Sequence, residues 1–423
     1  MQTYAEVLTY AIPFFIVLLL IEYGVSRWKN VEVIRSFDTI SSLSSGLTNT
    51  IKDVLGLAVV IISYAWMVDH LAVFEVQSTI WVYILTFVGL DFAGYWSHRF
   101  EHEINVLWNR HIIHHSSEEF NLACALRQNV SAIVSIFFFL LIPLAVLGIP
   151  AKIIAVVAPI HLFAQFWYHT RLIDKMGFLE YIIVTPSHHR VHHAINDIYI
   201  DKNYSQIFIV WDKFFGTFQE ELADEKPVYG VKKQVNTWNP ILINFQHLWL
   251  LIKDAWHTKS IKDKFKVFFM PTGWRPDDRL RDAPVDFIKD PSKQVKYNTV
   301  GSLKMHVWMW FQLVLHITMM LYMFNVLGDY SFNIVLLYGL FLFLSIFAYT
   351  SLMDNSILAI PFEVAKLVLG LGIIYFVGSW YGVDQVLPFG TAILILYLIV
   401  SLILTVYFKS ERGESAVLKV SMD

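Results

Sequence analysis

The amino-acid sequence predicts an all-α protein, a polytopic membrane helix bundle of about nine transmembrane helices. Of its 423 residues, 56% are hydrophobic and only 16% are charged, whereas a soluble globular protein carries roughly 25% charged residues. Several apolar runs also reach the length of about 20 residues that a helix needs to cross ~30 Å of hydrocarbon. Both observations favour the bilayer as the solvent of most of the chain.

The apolar runs give the expected positions of the spans. We place them at residues 4–24, 51–70, 79–97, 130–149, 152–170, 303–326, 331–351, 356–378 and 387–408. The phrase GIPAK joins 130–149 to 152–170 and leaves room only for a tight hairpin. These two runs could instead form a re-entrant pair, which would lower the count of spans by one or two.

The distribution of basic residues predicts the orientation of the bundle. Segment 171–302 holds 19 of the 32 Lys and Arg residues, whereas the short loops 71–78 and 327–330 hold none. Basic residues mark the cytoplasmic side, so we expect the N-terminus outside and the C-terminus inside. The first apolar run lacks a basic n-region and a cleavage site, and we expect it to be a retained anchor. Such a protein fits the endoplasmic reticulum membrane or a bacterial inner membrane equally.

Composition says less about partners. The net charge is -3, and we expect no nucleic-acid partner. The single cysteine, Cys124, excludes an internal disulfide bond and is predicted to be a buried apolar residue.

Histidines form the chemical signature of the chain. The pattern H-x-x-H-H occurs at 111–115 and again at 189–193, and His98 and His102 form a further pair at i and i+4. Residues three or four apart lie on one face of a helix, so each group directs its imidazoles to one side. The candidate metal ligands are His98, His102, His111, His114, His115, His169, His189, His192 and His193. In the expected topology, all of them meet at the cytoplasmic face.

The ligand set predicts a pair of metal ions. Neutral imidazole binds Fe, Zn, Cu and Ni, and eight or nine imidazoles exceed the four to six donors that one ion takes. The pattern has no Cys ligands and no Glu-x-x-His pair of the kind found in carboxylate-bridged di-iron bundles. A nitrogen-rich site with open positions suits iron that binds O₂, while zinc remains chemically possible.

The phrases around the histidines resemble a known family. H-x(3)-H at 98–102 and the two H-x(2)-H-H motifs resemble the fatty acid hydroxylase/sterol desaturase superfamily. HEINVLWNRHIIHHSSEEFNLACALRQ, TPSHHRVHHAINDIYIDKNY and WDKFFGTF are similar to its alkylglycerol monooxygenase branch and the bacterial relatives of that branch. The strong match covers about residues 80–220.

This resemblance implies a non-haem di-iron enzyme that uses O₂ to hydroxylate a membrane lipid. In the alkylglycerol branch, hydroxylation next to an ether oxygen gives a hemiacetal, which collapses to a fatty aldehyde. The reductant in that branch is tetrahydrobiopterin, and the electron donor of this chain stays open. The implied regions are N-terminal anchor helices (1–78), a catalytic region (79–220), a cytoplasmic membrane-surface segment (221–302) and C-terminal transmembrane helices (303–423).

Some residues and functions stay open at this point. Glu103 adjoins His102, and we predict that it binds the metal or a ligand N–H as a catalytic carboxylate. His161, Gln165 and His188 are further candidates for the metal shell, and Gln165 stands where many superfamily members have His.

The alternative substrates are a sterol, a carotenoid or a fatty acyl chain, hydroxylated or desaturated by the same superfamily. A membrane zinc hydrolase and a metal transporter are alternatives from other classes. A transporter would spread its ligands through the bilayer, whereas these lie at one face, and Asp91 is the one ionisable residue that we expect in a span centre.

Overall fold

The computed structural model describes residues 2–420, and these residues are mainly helical. The α-helices are α1 (Gln2–Trp28), α2 (Ser36–Val54), α3 (Tyr64–Leu71), α4 (Ile80–Glu103), α5 (Asn105–His115), α6 (Ile142–Val146), α7 (Ala151–Phe163), α8 (Pro186–His192), α9 (Val210–Phe215), α10 (Pro240–His257), α11 (Ile261–Phe269), α12 (Asp277–Asp282), α13 (Leu303–Val326), α14 (Phe332–Met353), α15 (Ala359–Val377) and α16 (Gly390–Val420). Two short strands, β1 (Val59–Val60) and β2 (Val134–Ser135), pair in parallel.

Six helices within residues 2–420 are long and apolar enough to cross a membrane, so the expected count of nine spans is not confirmed. They lie in α1, α4, α13, α14, α15 and α16, at Ala5–Trp28, Ile80–Glu103, Leu303–Val326, Phe332–Met353, Ala359–Val377 and Gly390–Glu411. The chain is therefore an integral membrane protein built from helices, as the composition predicts.

The other three predicted spans form shorter segments. In the run 51–70, α2 ends at Val54 and Gly56 adopts a left-handed conformation (φ 63°), which stops the helix before β1. The runs 130–149 and 152–170 give only the short apolar helices Phe137–Val146 and Ala151–Phe163, which turn back at Gly148. A Cβ atom at Gly148 would lie 1.8 Å from the carbonyl oxygen of Phe74, so only glycine fits this turn.

Helix α2 has a polar sequence and yet lies inside the bundle. Its sequence, SFDTISSLSSGLTNTIKDV, is rich in Ser and Thr, and 13 of its 19 residues are buried. Most of the buried hydroxyls have partners: Ser41 donates to the Trp238 carbonyl (2.7 Å) and Ser44 contacts the Tyr349 hydroxyl (2.6 Å), whereas the Thr39 hydroxyl has none among the described residues. Satisfied hydroxyls remove most of the cost of burying a polar helix, and α2 packs against α13 and α14.

The C-terminal helices hold a second group of buried polar residues. Glu363 and Lys366 of α15 form an ion pair and are each 1% exposed, inside a predicted span. His316 of α13 is also 1% exposed. The expectation that Asp91 is the one ionisable residue in a span centre is therefore wrong, because His316 and Lys366 lie near the centres of their apolar helices.

One end of the bundle gathers the polar segments. Lys29, just after α1, donates to the Leu172 carbonyl (2.9 Å), and Asp354, just after α14, accepts from the main-chain N–H of Trp238 (2.7 Å). Helix α4 carries His98 and His102 near its C-terminal end, where histidines from the segments after α4 lie against them.

Candidate metal centre

Four stretches of chain deliver the histidines. Helix α4 carries His98 and His102 one turn apart, and α5 follows after the single extended residue Ile104. Because the chain turns at Ile104, the histidines of α5 come to lie against those of α4. His169 follows α7, and α8 together with its C-cap residue His193 brings the second triplet.

All nine predicted ligands come together in two clusters. Cluster A contains His98, His102, His111, His115 and His192. Cluster B contains His114, His169, His189 and His193. Within each cluster, one ring nitrogen of every residue lies within 4.8 Å of the others. The clusters adjoin, since the rings of His115 and His193 stack with centroids 4.3 Å apart.

Main-chain carbonyls orient several of the imidazoles. The Nδ1 atoms of His98, His192 and His169 donate to the carbonyl oxygens of Tyr204 (2.7 Å), Lys202 (2.9 Å) and Gln165 (3.1 Å), in that order. A carbonyl oxygen only accepts, so Nδ1 carries the hydrogen and Nε2 keeps its lone pair in the neutral ring. Such a partner on the other ring nitrogen is typical of metal-binding histidine.

The Nε2 atoms of neighbouring imidazoles face one another, and too few of them carry a hydrogen to form hydrogen bonds. The Nε2 atoms of His98 and His111 lie 2.9 Å apart, and those of His169 and His189 lie 2.8 Å apart. Nε2 of His192 is buried and has no hydrogen-bond partner in the described chain. Buried polar atoms normally have a partner, and a cation that accepts several lone pairs at once supplies it. The residues therefore fit a metal ion in each cluster.

The electrostatics keep these imidazoles neutral. Burial, reinforced by repulsion from neighbouring imidazoles, holds the pKa of His111, His115, His189, His192 and His193 well below the ordinary value of 6.5. Burial also lowers the pKa of His169 to about 3. Neutral imidazole is the form that binds metal, so the clusters are prepared as ligands at pH 7.

The carbonyls of Lys202 and Tyr204 belong to one loop, and two buried carboxylates hold it in place. The sequence analysis did not assign these carboxylates a role. Asp91 of α4 accepts the main-chain N–H groups of Ile207 and Phe208, at 2.9 and 3.0 Å. Asp212 of α9 accepts those of Tyr204 and Ser205, each at 2.8 Å. The loop is thus fixed to α4 and α9, and its position fixes the rings of cluster A. In the sequence, the available signal for this role was a single carboxylate within an apolar run, as at Asp91.

Cluster A has carboxylates beside it that sequence reasoning also missed. An oxygen of Glu101 lies 3.5 Å from Nδ1 of His111, and one of Asp201 lies 3.9 Å from Nδ1 of His102. Aromatic rings bound cluster B, with Phe120 at 5.2 Å from His193 and Tyr168 at 4.4 Å from His189, measured between ring centroids.

The other candidates lie outside both clusters. Glu103 accepts a hydrogen bond from Nε of Arg99 (2.9 Å), and its side chain is 40% exposed. The structure therefore does not bring the predicted catalytic carboxylate to the imidazoles, and the carboxylates that lie beside them are those of Glu101 and Asp201.

Three further candidates have structural partners instead. His161 pairs with Asp91 (2.9 Å), and Gln165 donates to the His161 carbonyl (3.1 Å). Nδ1 of His188 accepts the main-chain N–H of Thr185 (3.4 Å) and caps α8.

A cavity of about 490 Å³ opens onto the clusters. His102, His115, His192 and His193 form part of its wall, and α5, α10 and segments of 194–288 form the rest. Its apolar lining residues are Ile112, Ala194, Ile195, Ile200, Val231, Leu250, Leu251, Phe287 and Ile288. A ligand in this cavity would touch the imidazoles and an apolar surface together.

Comparison with known proteins agrees with the motifs. The fatty acid hydroxylase family matches residues 83–217. The chain is 39% identical over 322 residues to an alkylglycerol monooxygenase of Homo sapiens, which covers 74% of this chain and 71% of the relative. The corresponding protein of Xenopus tropicalis is 37% identical over 310 residues, or 72% and 68% of the two chains.

A bacterial relative has a shorter match. An ornithine lipid hydroxylase of Rhizobium tropici is 31% identical over 154 residues, which is 36% of this chain and 46% of the relative. No solved structure matches the chain. The matched residues include all nine clustered histidines, and the chain belongs to the fatty acid hydroxylase family, whose members are oxygen-dependent hydroxylases and monooxygenases.

Proposed function

We propose that this chain is a membrane non-haem di-iron monooxygenase that hydroxylates the alkyl carbon next to an ether oxygen of a lipid. The observation that carries the proposal is the convergence of nine neutral imidazoles in two adjoining clusters, four of which line a cavity with an apolar wall. Relatives named alkylglycerol monooxygenase, similar over most of both chains, support the ether lipid as substrate.

The two clusters would hold one iron ion each. Cluster A offers five imidazoles and cluster B offers four, within the four to six donors of a first-row ion. Bound iron would supply the activation of O₂ that a C–H bond requires. The protein's own part is to keep the ring nitrogens unprotonated, to fix their direction through the carbonyls of Tyr204, Lys202 and Gln165, and to exclude thiolates.

The overall reaction balances with a two-electron reductant. The lipid R–CH₂–O–R′, O₂, two electrons and two protons give R–CH(OH)–O–R′ and water. The hemiacetal then breaks its C–O bond and yields the aldehyde R–CHO and the alcohol R′–OH. The reductant to test first is tetrahydrobiopterin, which the resemblance suggests.

The same proposal places the metal end of the bundle at the cytoplasmic face. The segments around the histidines carry most of the basic residues of the chain, and cytoplasmic loops carry an excess of Lys and Arg. The membrane would be the endoplasmic reticulum membrane or a bacterial inner membrane.

Isotopes test the reaction directly. A 1-O-alkylglycerol with two deuterium atoms on the alkyl carbon next to oxygen should give an aldehyde that retains one deuterium. The aldehyde should also take one oxygen atom from ¹⁸O₂ when it is trapped by reduction as it forms. Hydroxylation at another carbon, or desaturation, would give no fatty aldehyde that carries ¹⁸O and would favour a sterol, carotenoid or fatty acyl substrate instead.

The metal is tested separately. Protein purified without oxygen should contain two irons per chain, and Mössbauer spectroscopy should show that they are coupled. The His114→Ala and His115→Ala variants remove a ligand from cluster B and cluster A and should lower the iron content. Bound zinc together with turnover under strict anaerobiosis would contradict the proposal and point to a hydrolase.

A further inference from the structure

Lys233 is a half-buried cation on the wall of the same cavity that the clustered histidines line. Across the described residues 2–420, its ammonium group makes neither a hydrogen bond nor an ion pair. Burial lowers the pKa of Lys233, and repulsion from Lys253 and Arg275 adds to this effect. A buried charge without a partner is costly, so the position calls for an anion.

The other two cations of the cavity already have partners. Lys232 pairs with Asp197 (2.5 Å), and Arg275 holds both oxygens of Asp254, at 2.6 and 2.8 Å. Asp254 is therefore engaged by Arg275; it attracts the Lys233 ammonium but forms no ion pair with it.

The polar side chains near Lys233 are engaged as well. Nε2 of His247 faces the Asn105 carbonyl (2.8 Å), and the Gln246 amide donates to the Val235 carbonyl (3.0 Å). Within the described part of the cavity wall, the Lys233 ammonium is thus the charged donor that remains available to a ligand.

We propose that Lys233 binds the phosphate group of a ligand whose alkyl part lies along the apolar wall toward the clusters. This inference rests on the proposed function and deepens it, because it names the class of ether lipid as one with an anionic phosphate headgroup. The apolar lining, which includes Ile195, Ile200 and Leu250, favours a lipid over a soluble phosphate ester.

Binding without turnover tests the inference. The metal-loaded protein is kept without reductant, and the affinities of radiolabelled 1-O-alkylglycerol 3-phosphate and uncharged 1-O-alkylglycerol are compared. Lys233→Gln should weaken binding of the phosphate lipid about tenfold or more, since a charged hydrogen bond contributes roughly 1.5–3 kcal/mol. The uncharged lipid should bind within about twofold of its wild-type affinity, because Lys233 does not contact the alkyl chain.

Two matched variants separate charge from structure. Lys232→Gln removes a neighbouring lysine that already has a partner and should leave both affinities unchanged. Lys233→Arg keeps the charge and should keep most of the preference for phosphate. Equal losses for both lipids in Lys233→Gln, or no loss for the phosphate lipid, would overturn the inference.

A last arm identifies the source of the phosphate. If the anion is a headgroup, millimolar inorganic phosphate and glycerol 3-phosphate should not displace the bound lipid. Displacement by either compound in the wild type, but not in Lys233→Gln, would retain the anion site and assign it to a soluble ligand. The binding measurements do not require oxidation of the lipid. They would therefore remain interpretable even if the proposed hydroxylation were shown to be wrong.

Discussion

Replacement of Asp91 by Asn tests how the loop behind cluster A is held. One carboxylate oxygen accepts from His161 and the main-chain N–H of Ile207, and the other accepts from the Phe208 N–H and the Trp211 indole. Asn keeps the size of the side chain but turns one of these acceptors into an NH₂ donor. Whichever oxygen is replaced, two of the contacts lose their acceptor.

The magnitude follows from these contacts. Each buried donor left without an acceptor costs about 1–3 kcal/mol, so Asp91→Asn should cost roughly 2–6 kcal/mol of folding free energy. The released loop carries Tyr204, whose carbonyl orients His98 at 2.7 Å. Loss of a partner of this kind typically lowers metal affinity by about 10–100-fold. The variant should therefore be less stable and bind iron more weakly.

The assay is a chelator competition titration of iron, together with thermal unfolding in detergent. Glu220→Gln is the control, because it removes a carboxylate from an exposed pair with Lys175, and such pairs contribute little. The control should keep wild-type affinity and unfolding temperature. Wild-type affinity and stability in Asp91→Asn would refute the argument that this carboxylate anchors the metal centre.

Three further expectations concern other parts of the chain. Lys366→Met should cost about 3–5 kcal/mol because it leaves Glu363 charged and buried, whereas the double variant with Glu363→Gln should recover most of the loss, measured by thermal unfolding. Cys124 should resist maleimide at pH 8 until the protein is denatured, because burial raises the pKa of its thiol to about 12. Helix α11 belongs to the segment 221–302 that we expect at the membrane surface, and its Phe265 is 69% exposed. A spin label at Phe265→Cys should therefore collide with O₂, and one at Lys262→Cys with a water-soluble nickel complex; the reverse would contradict this expectation.

The histidines were predictable because their signal is local. Spacings of three and four residues place imidazoles on one face of a helix whatever the rest of the fold does. The carboxylate beside cluster A follows the same rule. At about 100° per residue, Glu101 lies about 60° from His98 around α4, whereas Glu103, which was predicted from its adjacency to His102, lies about 140° away.

The spans and supporting residues depend on contacts between distant parts of the chain. Hydropathy detects an apolar run but not the stop that Gly56 or Gly148 imposes. It also passes over α2, whose serines are buried only because partners such as Trp238 and Tyr349 come from far along the chain. Asp91 binds N–H groups more than a hundred residues away, and no local pattern encodes that pairing.

Helix α10 has one side that faces outward and another that lines the cavity beside the histidines. Its outward residues Trp249 and Trp256 are 59% and 79% exposed, while Leu250 and Leu251 on its inner side line the cavity. Large exposed aromatic side chains are typical of the membrane interface, and six other helices among the described residues are long and apolar enough to cross the bilayer. In the proposed orientation, α10 would lie between the lipid and the cavity. A substrate chain that passes beside α10 would reach the imidazoles without entering water, which suits a reaction on the apolar part of a lipid.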